Sequence, residues 1–200
     1  HYSNLTIEDI FVLLSPSGQD QQPKILEAIQ SLKLLDALQS ESEDLSEIEL
    51  INNAIYKSKK LKKPILAYYN KYISRVEDER ADFDIMALPN QLRHECVYDT
   101  DNFGADITKW GDIEKNTYNN CISLFIRTSN LINNVLFKSI FGFDKSKNDS
   151  SELTQLIDDF VSPSNTNYVL RIGFEEVGFE FQAREILANS IGKYLLTKAR

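Results

Sequence analysis

Residues 113–141 constrain the fold of this 200-residue chain more than any other stretch. Tyr118, Cys121, Ile122, Phe125, Ser129, Ile132, Leu136 and Ile140 recur at steps of three and four, the spacing that stacks side chains on one helical face. Leu124, Leu131, Val135 and Phe137 fall outside that stripe, and a helix apolar on more than one side must be covered on more than one side. The pattern therefore predicts a long central helix, with Asp112 as its N-cap and Gly142 just past its end. Asn116, Asn119, Asn120, Asn130, Asn133 and Asn134 are weak helix formers, so packing rather than propensity has to hold it. Unbroken, it spans roughly 40 Å at 1.5 Å per residue. A break near Ser129 and Asn130 is the alternative.

A chain of this length suits one domain, or two subdomains sharing a core, and buries roughly 70% of its unfolded surface. Cys96 and Cys121 are too few for a disulfide framework, and no CxxC or Cys/His cluster marks a structural metal. A reducing, intracellular setting is expected, nuclear or cytoplasmic. The first fourteen residues lack the features of a secretory signal, and a first residue other than Met is expected of a fragment or a tag remnant. No apolar run approaches 18 residues, so no membrane span is expected. Two sequons, Asn4-Leu5-Thr6 and Asn148-Asp149-Ser150, are chance matches in a chain rich in Asn, Ser and Thr. The formal charge of -8 argues against broad nucleic-acid binding, which needs a basic surface to displace counterions, and leaves only a local patch for that role. With 7 Gly, 5 Pro and many Leu and Ile at helical spacing, the expected class is mainly α.

Thr6 with Asp9 resembles a capping box leading a short helix that carries Ile7, Ile10, Phe11 and Leu14. Pro23 suits a first helical position, and Ile25, Leu26, Ile29, Leu32, Leu35 and Leu38 supply the next helix with a buried face. The pair is not read as a DNA-binding helix-turn-helix, because its second helix is not basic and its connection is long. Over residues 40–63, acids lead and lysines follow, with Leu45, Ile48, Ile51 and Ile55 at helical spacing between them. One helix with its dipole complemented at both ends accounts for both clusters. The sharper reading makes Lys57, Lys59, Lys60, Lys62 and Lys63 an anion-binding patch or a localisation signal.

Pro64 restarts a helix whose stripe holds Ile65, Tyr68, Tyr69, Tyr72, Ile73 and Val76. Tyr68, Tyr69 and Tyr72 suit either the edge of the chain's own core or a surface where a protein partner docks. Glu77, Asp78, Glu79, Asp82 and Asp84 form the most acidic segment. Residues 82–108 are expected to be a linker or long loop pinned by Leu92, Cys96 and Phe103. Within it, residues 99–104 imitate the opening of a calcium loop, but Trp110 stands where a bidentate Glu is required. His94 is the only internal histidine and carries no zinc-site spacing. Residues 144–151 read as a loop, and Ser151 leads a short helix carrying Leu153, Leu156, Ile157 and Phe160. Tyr168, Leu170, Ile172 and Phe174 alternate as in a strand that needs a partner, either residues 96–98 or another chain. A final helix is expected over 178–198, although Val177, Phe179 and Phe181 also suit a hairpin.

The resulting expectation is an irregular multi-helix domain around a long central helix, with a small β element near the C-terminus. Residues 1–81 form an N-terminal helical half, 82–108 the linker, and 109–200 the central helix with the C-terminal strand and helix, on one shared core. No nucleophile, base and oxyanion donor can be assembled from the spacing, so no catalytic, cofactor-binding or metal-binding residue is assigned. The leading functional expectation is a non-enzymatic protein-protein interaction module, a subunit or adaptor of a larger assembly that binds a protein partner or itself. The alternatives are a metal-dependent hydrolase or nuclease using the acids of 77–84 or 99–106, and an anionic-surface or nucleic-acid binder acting through Lys57 to Lys63.

Overall fold

The computed structural model describes residues 1–80, 82–101, 104–143, 152–166, 168–175, 177 and 182–198. Among the described residues the architecture is mainly α: nine α-helices and one two-stranded sheet. The capping box forms as expected at the head of α1 (Ile7–Leu14). Asp9 N–H donates to Thr6 Oγ1 at 3.3 Å, and Asp9 Oδ2 accepts from Thr6 N–H at 2.9 Å. The longest helix, α2 (Gly18–Ser40), begins ahead of Pro23, which therefore stands inside it rather than at its first position. The proline forfeits one hydrogen bond, the one its N–H would donate to the carbonyl of Gln19, at an exposed end of the helix. Gln21 Oε1 holds the entering chain by accepting from Ser17 N–H at 2.9 Å.

No helix forms over residues 41–61. The sheet lies here instead, pairing β1 (Leu50–Ile51) with β2 (Ala54–Ile55) in antiparallel register. Asn52 and Asn53 at the turn have φ of 52° and 58°, the mirror-type turn that Asn tolerates and that matches the twist of a two-residue hairpin. The three- and four-residue spacing of Leu45, Ile48, Ile51 and Ile55 is thus satisfied by a turn and a hairpin folding onto one patch. Next come α3 (Lys62–Lys71) and α4 (Ile73–Val76), so the helix expected to restart at Pro64 and carry the Ile65 to Val76 stripe begins two residues earlier and is interrupted at Tyr72.

Residues expected to be linker contain a 3-10 turn (Ile85–Ala87) and α5 (Leu88–His94), with Leu88 and Leu92 fully buried. Pro89 sits in the first turn of α5, where its missing N–H costs nothing. The 113–141 stretch is two helices rather than one, α6 (Lys115–Asn133) and α7 (Val135–Phe141). The break falls at Asn134, beyond the alternative at Ser129 and Asn130. Its Oδ1 accepts from Leu136 N–H (2.9 Å) and Phe137 N–H (3.3 Å), capping a new helix in place of continuing the old one. Gly142 ends α7 in the left-handed region (φ 62°), as expected, whereas the cap residue of α6 is Glu114 rather than Asp112. The remaining helices are α8 (Glu152–Val161) and α9 (Ala183–Lys198). Residues 144–151 and 178–181, for which a loop and a helix start were expected, and Phe103 lie outside the described residues.

The β element expected over 168–174 does not form within the chain; the strands sit at 50–55. Residues 168–174 carry no strand assignment, and Tyr168 and Val169 are 96% and 81% exposed. The edge at 96–98, one of the two partners expected for them, is already taken: Val97 bridges Ile113, and Glu114 N–H donates to Cys96 O at 2.9 Å.

Two apolar clusters make up the core. The larger draws on α1, the first half of α2, α5, α6, α7 and the start of α9. Its α7 end is an aromatic file in which Phe137, Phe141 and Phe143 stack in turn, with Tyr2 tilted against Phe143 at 5.8 Å. The smaller cluster holds Leu34, Leu35 and Leu38 from the second half of α2 with Ile48, Ile55, Ile65 and Val76. Tyr68, Tyr69, Tyr72 and Trp110 pack around it, partly buried. Burial of each such aliphatic side chain contributes about 1.5–3 kcal/mol. α6 lies among α1, α2, α5 and α7 but is covered on one broad side only, because Ile122 and Ile126 face outward.

Candidate functional site

A buried polar seam lies between the two clusters. α5 places Gln91 and Glu95 one turn apart, on the same side, and its own Leu88 and Leu92 point into the larger core. Glu95 Oε1 accepts from Ser31 Oγ and from Gln91 Nε2, each at 2.7 Å, and Glu95 Oε2 takes Lys57 Nζ at 2.5 Å. Gln91 also clamps the hairpin: its Oε1 accepts from Ile55 N–H at 2.7 Å, and its Nε2 donates to Ile55 O at 3.1 Å. The Lys57 ammonium lies 5.2 Å from the centroid of the Trp110 ring. Gln91, Glu95, Ser31 and Lys57 are all buried. A carboxylate bonded to an ammonium, a hydroxyl and an amide compensates the burial of all four groups.

The basic run is divided among separate partners. Lys57 belongs to the seam, Lys59 pairs with Asp112 (2.9 Å), Lys60 with Glu49 (2.5 Å), and Lys62 with Asp99 (2.8 Å). Lys63 is exposed on α3. Nor do the tyrosine hydroxyls project freely. Tyr68 Oη donates to Asp44 O at 3.0 Å, Tyr69 Oη to Glu77 Oε1, and Tyr72 Oη to Glu43 Oε1. The Glu77 carboxylate beside it, with burial, pushes Tyr69 up to about 12.

The acidic segments disperse in the same way. Asp78 accepts from the Arg80 guanidinium (3.0 Å), which holds its carboxyl below the usual range, and Asp84 caps the 3-10 turn through Met86 N–H (3.0 Å). Asp106 accepts from the Thr108 hydroxyl (2.6 Å) and N–H (2.9 Å), hydrogen bonds that lower its pKa. Among the described residues no three His, Cys, Asp or Glu side chains converge to hold a metal ion. His94 meets Tyr56 edge to face at 5.2 Å, and burial depresses its pKa. Cys96 and Cys121 are both buried and reduced; Cys96 Sγ donates to Leu92 O at 3.3 Å, and burial pushes both thiols up.

One open depression of about 140 Å³ lies between α2 and α4, lined by Lys33, Asp36, Arg75, Asp78, Arg80 and Asp82. Its charges already pair: Arg75 with Asp36 at 3.1 Å, Arg80 with Asp78, and the buried Lys33 ammonium with the Asp78 carbonyl. Sequence reasoning missed the seam. The signal was there in Gln91 and Glu95, four apart and interleaved with Leu88 and Leu92, but it was hidden by reading the segment as linker. No helix among the described residues is long and apolar enough to cross a membrane. No family model, curated protein or solved structure matches the chain.

Proposed function

We propose that the chain is a protein-protein interaction module, a subunit or adaptor of a larger intracellular assembly, without catalysis of its own. The observation that supports this reading is the apolar surface of the last third. Val135 is 82% exposed, Leu156 56% and Leu196 65%, alongside Tyr168 and Val169. Single exposed apolar groups are ordinary, and it is their number on α7, α8, the 168–170 segment and α9 that supports a partner for this part of the chain. The dispersal of the acids of 77–84 and 99–106 into ion pairs and caps weighs against the hydrolase or nuclease reading. The pairing of Lys59, Lys60 and Lys62 weighs against the anionic-surface reading in the same way.

The test is light scattering and chemical cross-linking of the purified chain, alone and with proteins that co-purify stoichiometrically, compared with a Leu156→Lys, Val169→Lys, Leu196→Lys variant. The expected result is association that the triple variant loses at unchanged melting temperature. A chain that stays monomeric and takes no stoichiometric partner refutes the module. A melting temperature raised by Mg, Mn, Ca or Zn ions would favour the metal enzyme, since only a ligand of the folded state stabilises it. Heparin binding that falls steeply with salt would favour the anion binder.

A further inference from the structure

We infer that residues 41–76 form a lid that opens over the second half of α2 as one unit, latched by the buried seam. The lid begins where α2 ends, next to Ser42 with its positive φ of 53°, and returns after α4. It is bonded to the 108–111 segment through Lys59 N–H to Gly111 O (3.2 Å), Lys62 N–H to Thr108 O (2.9 Å) and Trp110 N–H to Lys60 O (3.1 Å), and that segment is held to the body in turn by Gly111 N–H to Tyr98 O (2.8 Å), so opening parts one of these two lines of bonds.

Three observations set the lid apart. First, its apolar hold is thin. Across the whole of 41–76 the buried apolar side chains are Ile48, Ala54, Ile55, Ile65 and Val76, no more than α6 alone buries with Cys121, Leu124, Phe125, Leu131 and Ile132. Segments with few buried apolar anchors open at lower free energy than the rest of a fold. Second, the ion pairs that leave it, Arg75 with Asp36, Lys59 with Asp112 and Lys62 with Asp99, each have at least one largely exposed partner and contribute little. Third, the strongest polar attachments run from lid to α5: Ile55 to Gln91 and Lys57 to Glu95, both enclosed. Breaking a buried ion pair by removing one partner leaves the other charge uncompensated, a far larger effect than losing a rim pair. The latch therefore sets how often the Leu34, Leu35 and Leu38 side of α2 is uncovered.

Native-state hydrogen exchange on the full chain tests this. In the unaltered chain, the amides of the hairpin and α3 should exchange together, with protection at least about tenfold below that of the α6 amides. Lys57→Met should speed exchange of the lid amides by about a hundredfold or more and leave α6 unchanged. Should Lys57→Met fail to fold, Lys57→Met with Glu95→Gln leaves no uncompensated charge and should bring lid exchange back toward that of the unaltered chain, and a double variant as fast as Glu95→Gln or Lys57→Met alone would overturn the latch. One shared protection for lid and α6 in the unaltered chain would overturn the lid. Equal acceleration of both regions by the variant would overturn the latch.

Discussion

Gln91→Leu isolates the hydrogen bonds of the seam from its packing. Leucine is close to glutamine in volume, so α5 keeps its contacts, but three hydrogen bonds disappear at a position with 0% exposure. Ile55 N–H loses its 2.7 Å acceptor, Ile55 O its 3.1 Å donor, and Glu95 one of its three donors. A buried backbone group left without a partner costs about 1–3 kcal/mol. Two such groups, with Glu95 still held by Ser31 and Lys57, give an expected loss of about 2–5 kcal/mol, partly offset by leucine's easier desolvation. Urea unfolding followed by Trp110 fluorescence measures it, because the chain's single tryptophan packs on the smaller cluster beside Lys57. Helical circular dichroism on the same samples reads the whole molecule. Asn90→Ala, on the half-buried neighbour, removes only long hydrogen bonds to Asn52 O (3.5 Å) and from Arg93 (3.3 Å) and should cost less than about 1 kcal/mol. A Gln91→Leu loss below about 1 kcal/mol would refute the argument that this amide substitutes for a strand partner of Ile55.

Thr6→Ala should cost about 0.5–2 kcal/mol in thermal or urea unfolding, because it removes the cap of α1 and a donor to the buried Asp9. Burial pushes Tyr2 up to about 12, and the Glu77 hydrogen bond does the same for Tyr69. Their contribution to stability is therefore intact below pH 10 and falls between about pH 10 and 12, where the unfolded phenols ionise first; ultraviolet titration of Tyr2→Phe should lose one late-titrating phenol. His94, held low by burial, acts in the opposite sense: stability is full above about pH 6.5 and declines below it as the unfolded ring takes up a proton, a decline that His94→Gln should reduce in pH-dependent melting. Cys96 and Cys121, buried with raised pKa values, should resist a thiol reagent at neutral pH in the native state, and both should react on unfolding.

What could be read from the residues was what local chemistry decides. The Thr6/Asp9 box, the glycine past Phe141 and the mainly helical class depend on near neighbours, and each appears in the structure. The readings that failed were those in which distant partners choose between two acceptable local forms. Leu45, Ile48, Ile51 and Ile55 suit a helix equally well until Asn52 and Asn53 adopt positive φ and Gln91 arrives to pair with Ile55. Residues 88–94 look like loop because of Pro89 and Asn90, yet the proline is tolerated in a first turn and Leu88 and Leu92 are claimed by α2 and α6. For 168–174 the alternation is real, but Ile113 and Glu114 already occupy the edge it would have used. The seam joins Ser31, Lys57, Gln91 and Glu95, residues drawn from across 64 positions, and no spacing rule reaches that far.

The two clusters share α2 as a common spindle. Ile25, Ala28, Ile29 and Leu32 serve one and Leu34, Leu35 and Leu38 the other, with Lys33 between them reaching the Asp78 carbonyl. One extra residue inserted beside Lys33 would swing everything beyond it by about 100° around the axis, since 3.6 residues complete a turn. Substitutions there alter one cluster at a time, whereas a shift in reading length dephases the pair. The middle of this helix is accordingly where the chain should tolerate exchanged letters but not added or missing ones.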